Sequence, residues 1–378
     1  MNFMQEETLV VDNLIDFDWN LNDSKSSTLH SIHPYPAKFI PELPREILRQ
    51  LDIPENSIVF DPFCGSGVTL AEAQKLGISS VGVDLNPIAC LISRVKTSQF
   101  DFDISSHAKK IIAQCQTNSG AVNIPTIKNI DHWFKKGIQR KVSILINKIN
   151  QVTHPELRDA LNFCLSANLV RLSNQDSDTR YAAVEKNVKG EDVFSLFIKT
   201  AEKLDKAKNA QEINETSTVI NKNSLLLKST DLQKKIGLTI TSPPYPNAYE
   251  YWLYHKYRMW WLGYDAEKVK IDEIGARPHY FKKNPQTADD FINQMETLFE
   301  FLYTNSEKGA YSVFIIGRSK IHGEIINNES IIENAGVKSG FNHIATLKRT
   351  VKPSRKSFNL SHARIKEEFI VIHQKSFI

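Results

Sequence analysis

The chain has 378 residues, of which 41% are hydrophobic and 24% charged, a composition typical of soluble globular proteins. Its net charge of +4 arises from 47 basic and 43 acidic residues, and so small an excess does not indicate a nucleic-acid partner. No apolar stretch approaches the roughly 20 residues of a membrane span, and the first residues predict no signal peptide. The four cysteines form no CxxC pair, which argues against a zinc site and a disulfide framework and favours a reducing cytoplasm: Cys64, Cys90, Cys115 and Cys164.

The N-terminal segment, positions 1–32, is rich in acids and polar side chains. This segment contains one lysine, Lys25, and six acidic residues, which are Glu6, Glu7, Asp12, Asp16, Asp18 and Asp23. A charge run of this kind is typical of a solvated segment, so residues 1–32 are predicted to form an N-terminal arm.

Two strand–turn–helix units follow the arm. The first predicts a strand over 58–60, a glycine-containing turn and a helix over 69–76. The second predicts a strand over 81–83 that ends at Asp84, with a helix beginning at Pro87. Apolar strands that alternate with helices indicate an α/β fold with a parallel sheet.

The pattern becomes helical between residues 101 and 215. Apolar residues at helical spacing predict helices over 135–152, 157–172 and 192–208. We therefore expect residues 101–215 to be a helical insertion, serving either as a target-recognition region or as a structural buttress.

Strands resume after the insertion. Buried strands are predicted over 238–241 and 313–316, and residues 344–351 and 367–374 are predicted to pair as a C-terminal hairpin. The α/β catalytic domain is thus expected to comprise residues 33–100 and 216–378.

The turn Asp61-Pro62-Phe63-Cys64-Gly65-Ser66-Gly67 has the features of a ligand-binding loop. Gly65 and Gly67 allow the backbone to approach a ligand closely, and ligands of open α/β sheets bind beyond the carboxyl ends of the strands. Asp84 ends the next predicted strand, where a carboxylate can accept hydrogen bonds from both ribose hydroxyls. The alternative is that Asp84 caps the helix that begins at Pro87. The turn lacks the Lys-Ser or Lys-Thr pair of a phosphate-binding loop and the third glycine of GxGxxG.

A second chemical motif, Thr241-Ser242-Pro243-Pro244-Tyr245, follows a predicted strand. Consecutive prolines have no N–H and break regular pairing, so the carbonyls here stay free as acceptors beside the Ser242 hydroxyl. Clustered acceptors suit an exocyclic amine, because holding its N–H bonds localises the nitrogen lone pair towards a methyl donor. Tyr245 offers a ring for stacking on a base. The alternative is a diproline turn that merely ends a strand.

The two motifs together resemble the amino-methylating, site-specific DNA methyltransferases, particularly the cytosine-N4-specific group that often carries Ser-Pro-Pro-Tyr. The segment 33–39 (HPYPAKF) resembles the family's N-terminal cofactor motif, and 84–87 (DLNP) resembles its second acidic motif. Residues 254–263 and 315–317 resemble later family segments. The resemblance covers about two-thirds of the chain, over 33–100 and 216–378.

The resemblance implies a Rossmann-like S-adenosylmethionine-dependent methyltransferase sheet and a cofactor pocket. Ser242, Pro243, Pro244 and Tyr245 would form the catalytic segment that receives a base flipped out of double-stranded DNA. The family's acidic-plus-small-residue motif at the adenine end is not clear here, and Asn223-Ser224 is the candidate for it. The expected cofactor-binding residues are Lys38, Phe39, Asp61, Phe63, Gly65, Ser66, Gly67, Asp84, Asn86 and Ser224.

We therefore expect transfer of a methyl group to cytosine N4, in the cytoplasm of a prokaryote and compatible with a restriction endonuclease partner. Methylation at cytosine C5 is disfavoured, because no cysteine follows a proline as the usual nucleophile does. The alternatives are adenine-N6 methylation, an RNA guanine-N2 methyltransferase, and a catalytically silent nucleic-acid-binding relative. No metal is expected.

Several segments are candidates for holding DNA. Tyr249 and Tyr251 belong to a run of nine aromatic residues over 245–264, which otherwise indicates a core helix. Two basic stretches without an acid, 132–150 and 345–366, suit phosphate contacts or else a solvated face.

Two finer hypotheses concern sequence recognition and clamping. Arg171, Asn174 and Arg180 lie in a polar segment of the insertion and include residue types that contact base edges. Arg355 and Lys356 lie in a long predicted loop over 352–364, which is expected to clamp DNA through phosphates.

Overall fold

The computed structural model describes residues 13–21, 28–117, 121–178, 180–211, 215–247, 249–350 and 367–377. Their main feature is a seven-stranded sheet in the order β10-β11-β7-β6-β1-β2-β5. Two small hairpins, β3-β4 and β8-β9, stand apart from it. The strands are β1 Ile58–Asp61, β2 Ser80–Asp84, β3 Gln175–Ser177, β4 Arg180–Ala183, β5 Ser217–Asn221, β6 Ile236–Thr241, β7 Ser306–Gly317, β8 Ser319–Ile321, β9 Glu324–Ile326, β10 Asn342–Thr350 and β11 Glu367–Gln374.

Helices surround the sheet and form the insertion. They are α1 Thr28–Ile32, α2 Glu42–Gln50, α3 Val68–Lys75, α4 Pro87–Thr97, α5 Ile104–Thr117, α6 Ile130–Trp133, α7 Lys136–Ile149, α8 Pro155–Leu172, α9 Gly190–Asn209, α10 Tyr251–Trp261, α11 Ala266–Asp272, α12 Arg277–Tyr280, α13 Ala288–Asn305 and α14 Asn328–Lys338. Two short 3₁₀ turns lie at Ser224–Leu226 and Ser229–Asp231.

The order in which the chain adds strands to the sheet reverses between β1 and β6. Strands β5, β2, β1, β6 and β7 run parallel, whereas β11 is antiparallel to β7 and β10 is antiparallel to β11. The chain builds outwards from β1 through β2 to β5, and then returns to lay β6 on the other side of β1. In an open α/β sheet such a switch point leaves a crevice at the carboxyl ends of the strands. The α/β, Rossmann-like fold with a helical insertion is confirmed.

Successive residues of a strand point to opposite faces, and each face has its own core. Phe60 faces a core completed by α13 and α14, where Phe299 and Ile332 are fully buried. Val59 faces the other core, which includes Leu43 and Ile47 of α2. Continuous burial of β1 and β6 on both faces explains why these strands are apolar without alternation.

The insertion is a helical unit that shares its core with the sheet's helices. Helices α5, α7, α8 and α9 bury apolar faces against one another and against Ile88 and Leu91 of α4 and Trp252 of α10. The predicted helices correspond to α7, α8 and α9, with small differences at the ends. The segment between α8 and α9 includes the hairpin β3-β4, which periodicity did not predict.

The prediction of a solvated N-terminal arm over residues 1–32 is wrong for the part of that segment that the structure describes. Leu14 and Trp19 are 1% and 3% exposed and pack in the core beside α2. Within α1, Leu29 and His30 are also buried. Acidic residues dominate the composition of the segment, but its few apolar side chains are buried in the core and so fix where the segment packs.

Candidate active site

An open cavity lies at the carboxyl ends of β1, β2 and β6. It occupies the switch point of the sheet, where a crevice is expected. Its walls bring together residues that are far apart in the sequence. They are Tyr35, Ala37, Lys38, Phe39, Asp61, Phe63, Cys64, Gly65, Ser66, Val68, Asp84, Leu85, Asn86, Asn223, Ser224, Ser242, Pro244, Tyr251, Val269, Asp272, Glu273 and Ile274.

Asp61 joins the two halves of this site. It ends β1, and its Oδ1 accepts a hydrogen bond of 2.7 Å from the hydroxyl of Thr241, which ends β6. The same oxygen accepts the backbone N–H of Phe63 at 3.1 Å and so shapes the turn. Burial raises the pKa of Asp61 to about 6. The carboxylate therefore holds the glycine-containing turn against the strand that leads into Ser242.

Asp84 organises the opposite wall. Its Oδ2 accepts the N–H of Gly65 at 2.9 Å, and its Oδ1 accepts the N–H of Asn86 at 2.8 Å. Burial raises the pKa of Asp84 to about 7, against the two backbone N–H groups that favour the carboxylate. Each oxygen retains a lone pair for a ligand hydroxyl.

Asn86, not Asp84, caps the helix that begins at Pro87. The Asn86 Oδ1 accepts the N–H of Ile88 at 3.0 Å, while Pro87 occupies the first turn, where no N–H is needed. This leaves Asp84 to face the cavity. Two wall groups, Asn86 Nδ2 and Ser66 Oγ, are buried and have no hydrogen-bond partner among the described residues, so a ligand can satisfy both.

The two glycines of the turn serve different purposes. Gly65 has φ +48° and lines the cavity, with the ring of Tyr35 3.2 Å from where a Cβ would lie. Gly67 was expected to line the same pocket, but it faces helix α4. A Cβ on Gly67 would lie 2.7 Å from Ser93 Oγ and 2.9 Å from Ser93 Cα, and its φ is +71°. Gly67 therefore permits close packing of α3 on α4.

Lys38 and Lys96 surround the back of the turn. The ammonium of Lys38 donates to the carbonyl of His30, and Lys38 lines the cavity. Lys96 is completely buried and donates to the carbonyl of Ser66 at 2.7 Å. Burial holds the pKa of Lys96 well below its usual range. Spacing alone did not single out Lys96, because its partner is a backbone carbonyl far away in the sequence.

The Ser-Pro-Pro-Tyr segment, residues 242–245, contributes only two of its residues to the cavity wall. Ser242 and Pro244 lie on the wall, whereas Pro243 and Tyr245 are buried behind it. Tyr245 is 9% exposed and packs in the core with Ile274. The ring predicted to stack on a base is thus part of the core. An aromatic ring on the wall is instead that of Tyr251, which stacks on Tyr35 with centroids 5.9 Å apart.

Glu273 is a wall residue that the motifs in the sequence did not indicate. Its two carboxylate oxygens accept the N–H groups of Tyr251 and Trp252 at 2.8 and 2.7 Å, and so cap the N-terminus of α10. Burial raises its pKa to about 8. Glu273 lies far after the start of α10 in the chain. Caps that can be recognised in a sequence lie within a few residues of the helix N-terminus, so no local pattern indicated this one.

Buried polar contacts tie the insertion to the site. His33 accepts or donates at Ser166 Oγ of α8 over 3.0 Å, and its other nitrogen faces the Pro34 carbonyl at 2.8 Å. The fully buried guanidinium of Arg258 in α10 donates to the Ser166 carbonyl at 3.0 Å and to the carboxylate of Asp178. The insertion thus contacts both the N-terminal motif at residues 33–39 and helix α10.

The candidate base-contacting residues of the insertion differ in their surroundings. Arg171 is exposed. Asn174 donates to the His132 carbonyl at 2.8 Å, and its own backbone joins Trp133 and Val184, so its amide stabilises the insertion. Arg180 lies 3.9 Å from Asp176 in a hairpin. Recognition of bases by these three residues stays a prediction.

The basic stretches are largely occupied by internal contacts where the structure describes them. Lys136 pairs with Asp131 at 2.6 Å, and Lys348 pairs with Glu367 at 2.6 Å.

The other candidates for holding DNA lie elsewhere. Tyr249 is half-buried, and its ring lies tilted against that of Tyr251 with centroids 5.8 Å apart. Arg355 and Lys356, with the whole predicted clamp over 352–364, lie outside the described residues.

The described residues contain neither a metal-binding cluster nor a membrane-spanning helix. Their His, Cys, Asp and Glu side chains form no group of three or more that could hold a metal ion. Within the same residues no helix combines the length and apolarity needed to cross a membrane.

Comparisons with known proteins agree with the geometry. Residues 8–94 match the family of N6/N4 methyltransferases described as DNA methylase. This match spans the N-terminal motif, the turn at 61–67 and Asp84. The similarity supports an amino-methyltransferase.

Curated relatives are type II methyltransferases. M.MvaI of Kocuria varians is 26% identical over 251 residues, which cover 60% of this chain and 55% of that protein. M.BsoBI of Geobacillus stearothermophilus is 22% identical over 282 residues, covering 65% and 55%. M.MjaII of Methanocaldococcus jannaschii is 39% identical over 90 residues, covering 22% and 17%. The chain spans about half the length of M.MvaI and of M.BsoBI, and less of M.MjaII.

Among solved structures, an rRNA methyltransferase from Streptomyces viridochromogenes aligns over 93% of this chain and 92% of its own, with 10% identity and a TM-score of 0.36. So low a score adds no argument.

The family match implies S-adenosylmethionine as the cofactor, and the cavity fits it. The buried orphan groups of Ser66 and Asn86, the carboxylate of Asp84 and the apolar rings of Phe39 and Phe63 suit a molecule with a ribose, a purine and a cationic end.

Proposed function

We propose that the chain transfers a methyl group from S-adenosylmethionine to the N4 amino group of a cytosine extruded from duplex DNA. One observation carries the proposal. A single cavity is lined by the cofactor turn and by Ser242 and Pro244, and the 2.7 Å hydrogen bond from Thr241 to Asp61 holds the two together. Donor and acceptor groups bound there would be adjacent and oriented, which is the main requirement of a direct transfer.

The cofactor half of the cavity would hold the methyl donor through named groups. Asp84 would accept hydrogen bonds from the ribose hydroxyls, since it lies on the cavity wall. Asn86 and Ser66 would supply the donor and the hydroxyl that lack partners among the described residues. Lys38 and Phe39 would lie at the methionine end, and Ser224 on the wall near the purine. The cofactor, when bound, supplies an electrophilic methyl group.

The base half would activate the amine without a covalent intermediate. Ser242 and the carbonyl of Pro244, which lie on the cavity wall, would accept the two amino N–H bonds, which withdraws the nitrogen lone pair from the ring. All four cysteines are buried, and burial raises the pKa of Cys64 well above its usual range. This supports direct transfer to nitrogen over a thiolate mechanism.

The aromatic wall would hold the extruded base. Tyr251 and Tyr35 stack on each other and share the cavity wall with Ser242, and Glu273 fixes the backbone of Tyr251. Base–aromatic stacking contributes about 1–3 kcal/mol, which offsets part of the few kcal/mol needed to extrude a base. Tyr251 rather than Tyr245 is the ring we assign to the base.

The test is the chemical identity of the product. Duplex DNA incubated with the protein and S-adenosylmethionine is digested to nucleosides and analysed by mass spectrometry, and N4-methylcytosine is expected. Ser242→Ala should lose most activity while keeping cofactor affinity. N6-methyladenine as sole product would replace cytosine by adenine in the same cavity, and methyl groups in RNA alone would favour the guanine-N2 alternative. No transfer to any nucleic acid would refute the proposal.

A restriction endonuclease partner in a prokaryotic cytoplasm belongs to the same proposal, because the relatives are type II methyltransferases. An endonuclease that cuts unmodified but not modified DNA at the same sequence would support it. Sequencing methylated DNA for modified base and context provides that sequence.

A further inference from the structure

Two loops lie beside the catalytic segment and outside the cavity wall. The first, residues 277–286, follows the wall residue Ile274 and contains helix α12. The second is the hairpin β8-β9, residues 319–326. Together we call them the rim.

Asn247 ties the Ser-Pro-Pro-Tyr segment to the second loop of the rim and to Gly275, which lies just before the first loop. Its backbone N–H donates to the Gly275 carbonyl at 2.9 Å, and its side-chain amide donates to the Lys320 carbonyl at 2.7 Å. Gly275 in turn packs so closely on the Tyr245 carbonyl that a Cβ there would lie 2.7 Å from the oxygen. The rim is therefore fixed beside the Ser-Pro-Pro-Tyr segment.

The first loop holds an aromatic ring out into solvent. Tyr280 is fully buried and anchors the loop, and the Gln286 N–H closes it on the His279 carbonyl at 2.9 Å. The next side chain, Phe281, is 52% exposed. Arg277 and His322 flank its ring, with the guanidinium carbon 5.3 Å and the imidazole centroid 5.0 Å from the Phe281 centroid. Phe281 thus presents a ring at the protein surface between two cation-forming groups.

The charge of the rim is positive. Residues 277–286 contain no acid, and Glu324 is the single acid of residues 319–326. The rim's cations are exposed and make no ion pair with a described acid; they are Arg277, Lys282, Lys283 and Lys320. Exposed cations of this kind neutralise phosphates, whereas most described cations of the two basic stretches above have internal partners.

We propose that the rim is a nucleic-acid contact surface, in which Lys282 and Lys283 contact phosphates and Phe281 stacks on the bases that remain when the target leaves the duplex. Apolar side chains that enter a base stack are a general way of stabilising distorted DNA. The proposal rests on the function proposed above and adds residues that the sequence did not suggest.

The phosphate contacts are tested by salt dependence. Affinity for a labelled duplex is measured by fluorescence anisotropy from low to high salt, with S-adenosylhomocysteine bound. The Lys282→Ala/Lys283→Ala variant should flatten the plot of log affinity against log salt by about 1.8, or about 0.9 per phosphate. The matched control, Lys234→Ala/Lys235→Ala, removes an adjacent exposed pair that precedes β6 at the opposite end of the sheet. Equal slopes for both variants would overturn the proposal.

Stacking by Phe281 is tested on two duplexes that contain the mapped target sequence. Phe281→Ala should methylate the fully paired duplex roughly tenfold more slowly, and should recover when the target faces an abasic site, because no base pair then has to be broken on extrusion. Phe377→Ala, which removes a 49%-exposed phenylalanine at the other end of the sheet, is the control. Phe281→Trp should retain the rate. Equal loss on both duplexes, or no loss, would overturn the stacking role.

Failure here is distinguishable from failure of the proposed function. If the wild-type protein methylates no DNA, the function fails, and the salt slopes still decide whether the rim binds nucleic acid. If the wild type methylates DNA and the variants match their controls, the rim assignment alone is wrong.

Discussion

Replacing Gly67 by alanine provides a test of why this turn contains two glycines. The new Cβ would lie 2.9 Å from the backbone Cα of Ser93, which cannot rotate away, so helices α3 and α4 must separate. Overpacking of this kind costs about 1–3 kcal/mol. The left-handed φ of +71° costs an alanine about 1–2 kcal/mol more. We expect Gly67→Ala to lower the free energy of unfolding by about 2–5 kcal/mol, the sum of these two costs.

Gly77 is the matched control, because it has the same backbone conformation without the crowding. Its φ is +73°, and nothing lies within 4 Å of the position that a Cβ would take. Gly77→Ala should therefore cost only the conformational part, about 1–2 kcal/mol. Urea denaturation followed by circular dichroism gives both values, and their difference isolates the contact between α3 and α4.

The result that would refute this reasoning is a difference below about 0.5 kcal/mol between the two variants, which is within the usual scatter of surface substitutions. Gly67 would then not be required for helix packing. Weaker cofactor binding by Gly67→Ala with full stability would instead restore the original expectation that this glycine faces the ligand.

Four further predictions concern ligand and DNA binding. Asp84→Ala should weaken S-adenosylmethionine binding by roughly 1–3 kcal/mol in calorimetry, the loss of a charged acceptor. Because burial raises the pKa of Asp84 to about 7 and the carboxylate is the acceptor, wild-type affinity should fall as pH drops below about 7, and Asp84→Asn should lack this dependence. Removing Arg355 and Lys356 together should weaken binding to all DNA sequences alike and flatten the salt slope by about two phosphates. Replacing Asn174 and Arg180 should relax site preference in methylation sequencing while leaving cofactor affinity intact.

Each of these has a contrary outcome. Unchanged cofactor affinity in Asp84→Ala would remove the ribose assignment. A wild-type salt slope in the variant without Arg355 and Lys356 would show that the loop is not a clamp. Loss of folding on replacement of Asn174 would favour the buttress, in line with its hydrogen bond to His132.

Most of the cavity wall could be predicted from sequence, because its residues lie in short motifs next to strand ends. Asp61, Gly65 and Asp84 each follow or end a strand, and parallel strands place their carboxyl ends at one edge of the sheet. Glu273 and Lys96 could not be predicted in this way. Their partners are backbone groups in distant parts of the chain, and no local pattern marks such a contact.

The sequence by itself determined the alternation of apolar strands and amphipathic helices, and hence the α/β class, the helical insertion and the motifs at the sheet edge. These depend on period and spacing within a few residues, which is information that a linear chain carries. Only the tertiary structure decided which side of each motif meets the cavity. Tyr245 turned into the core while Tyr251 reached the wall, Gly67 faced a helix, and Trp19 was buried despite its acidic neighbours. The physical reason is that packing is settled by contacts between elements distant in the chain, where burial of apolar surface outweighs local composition.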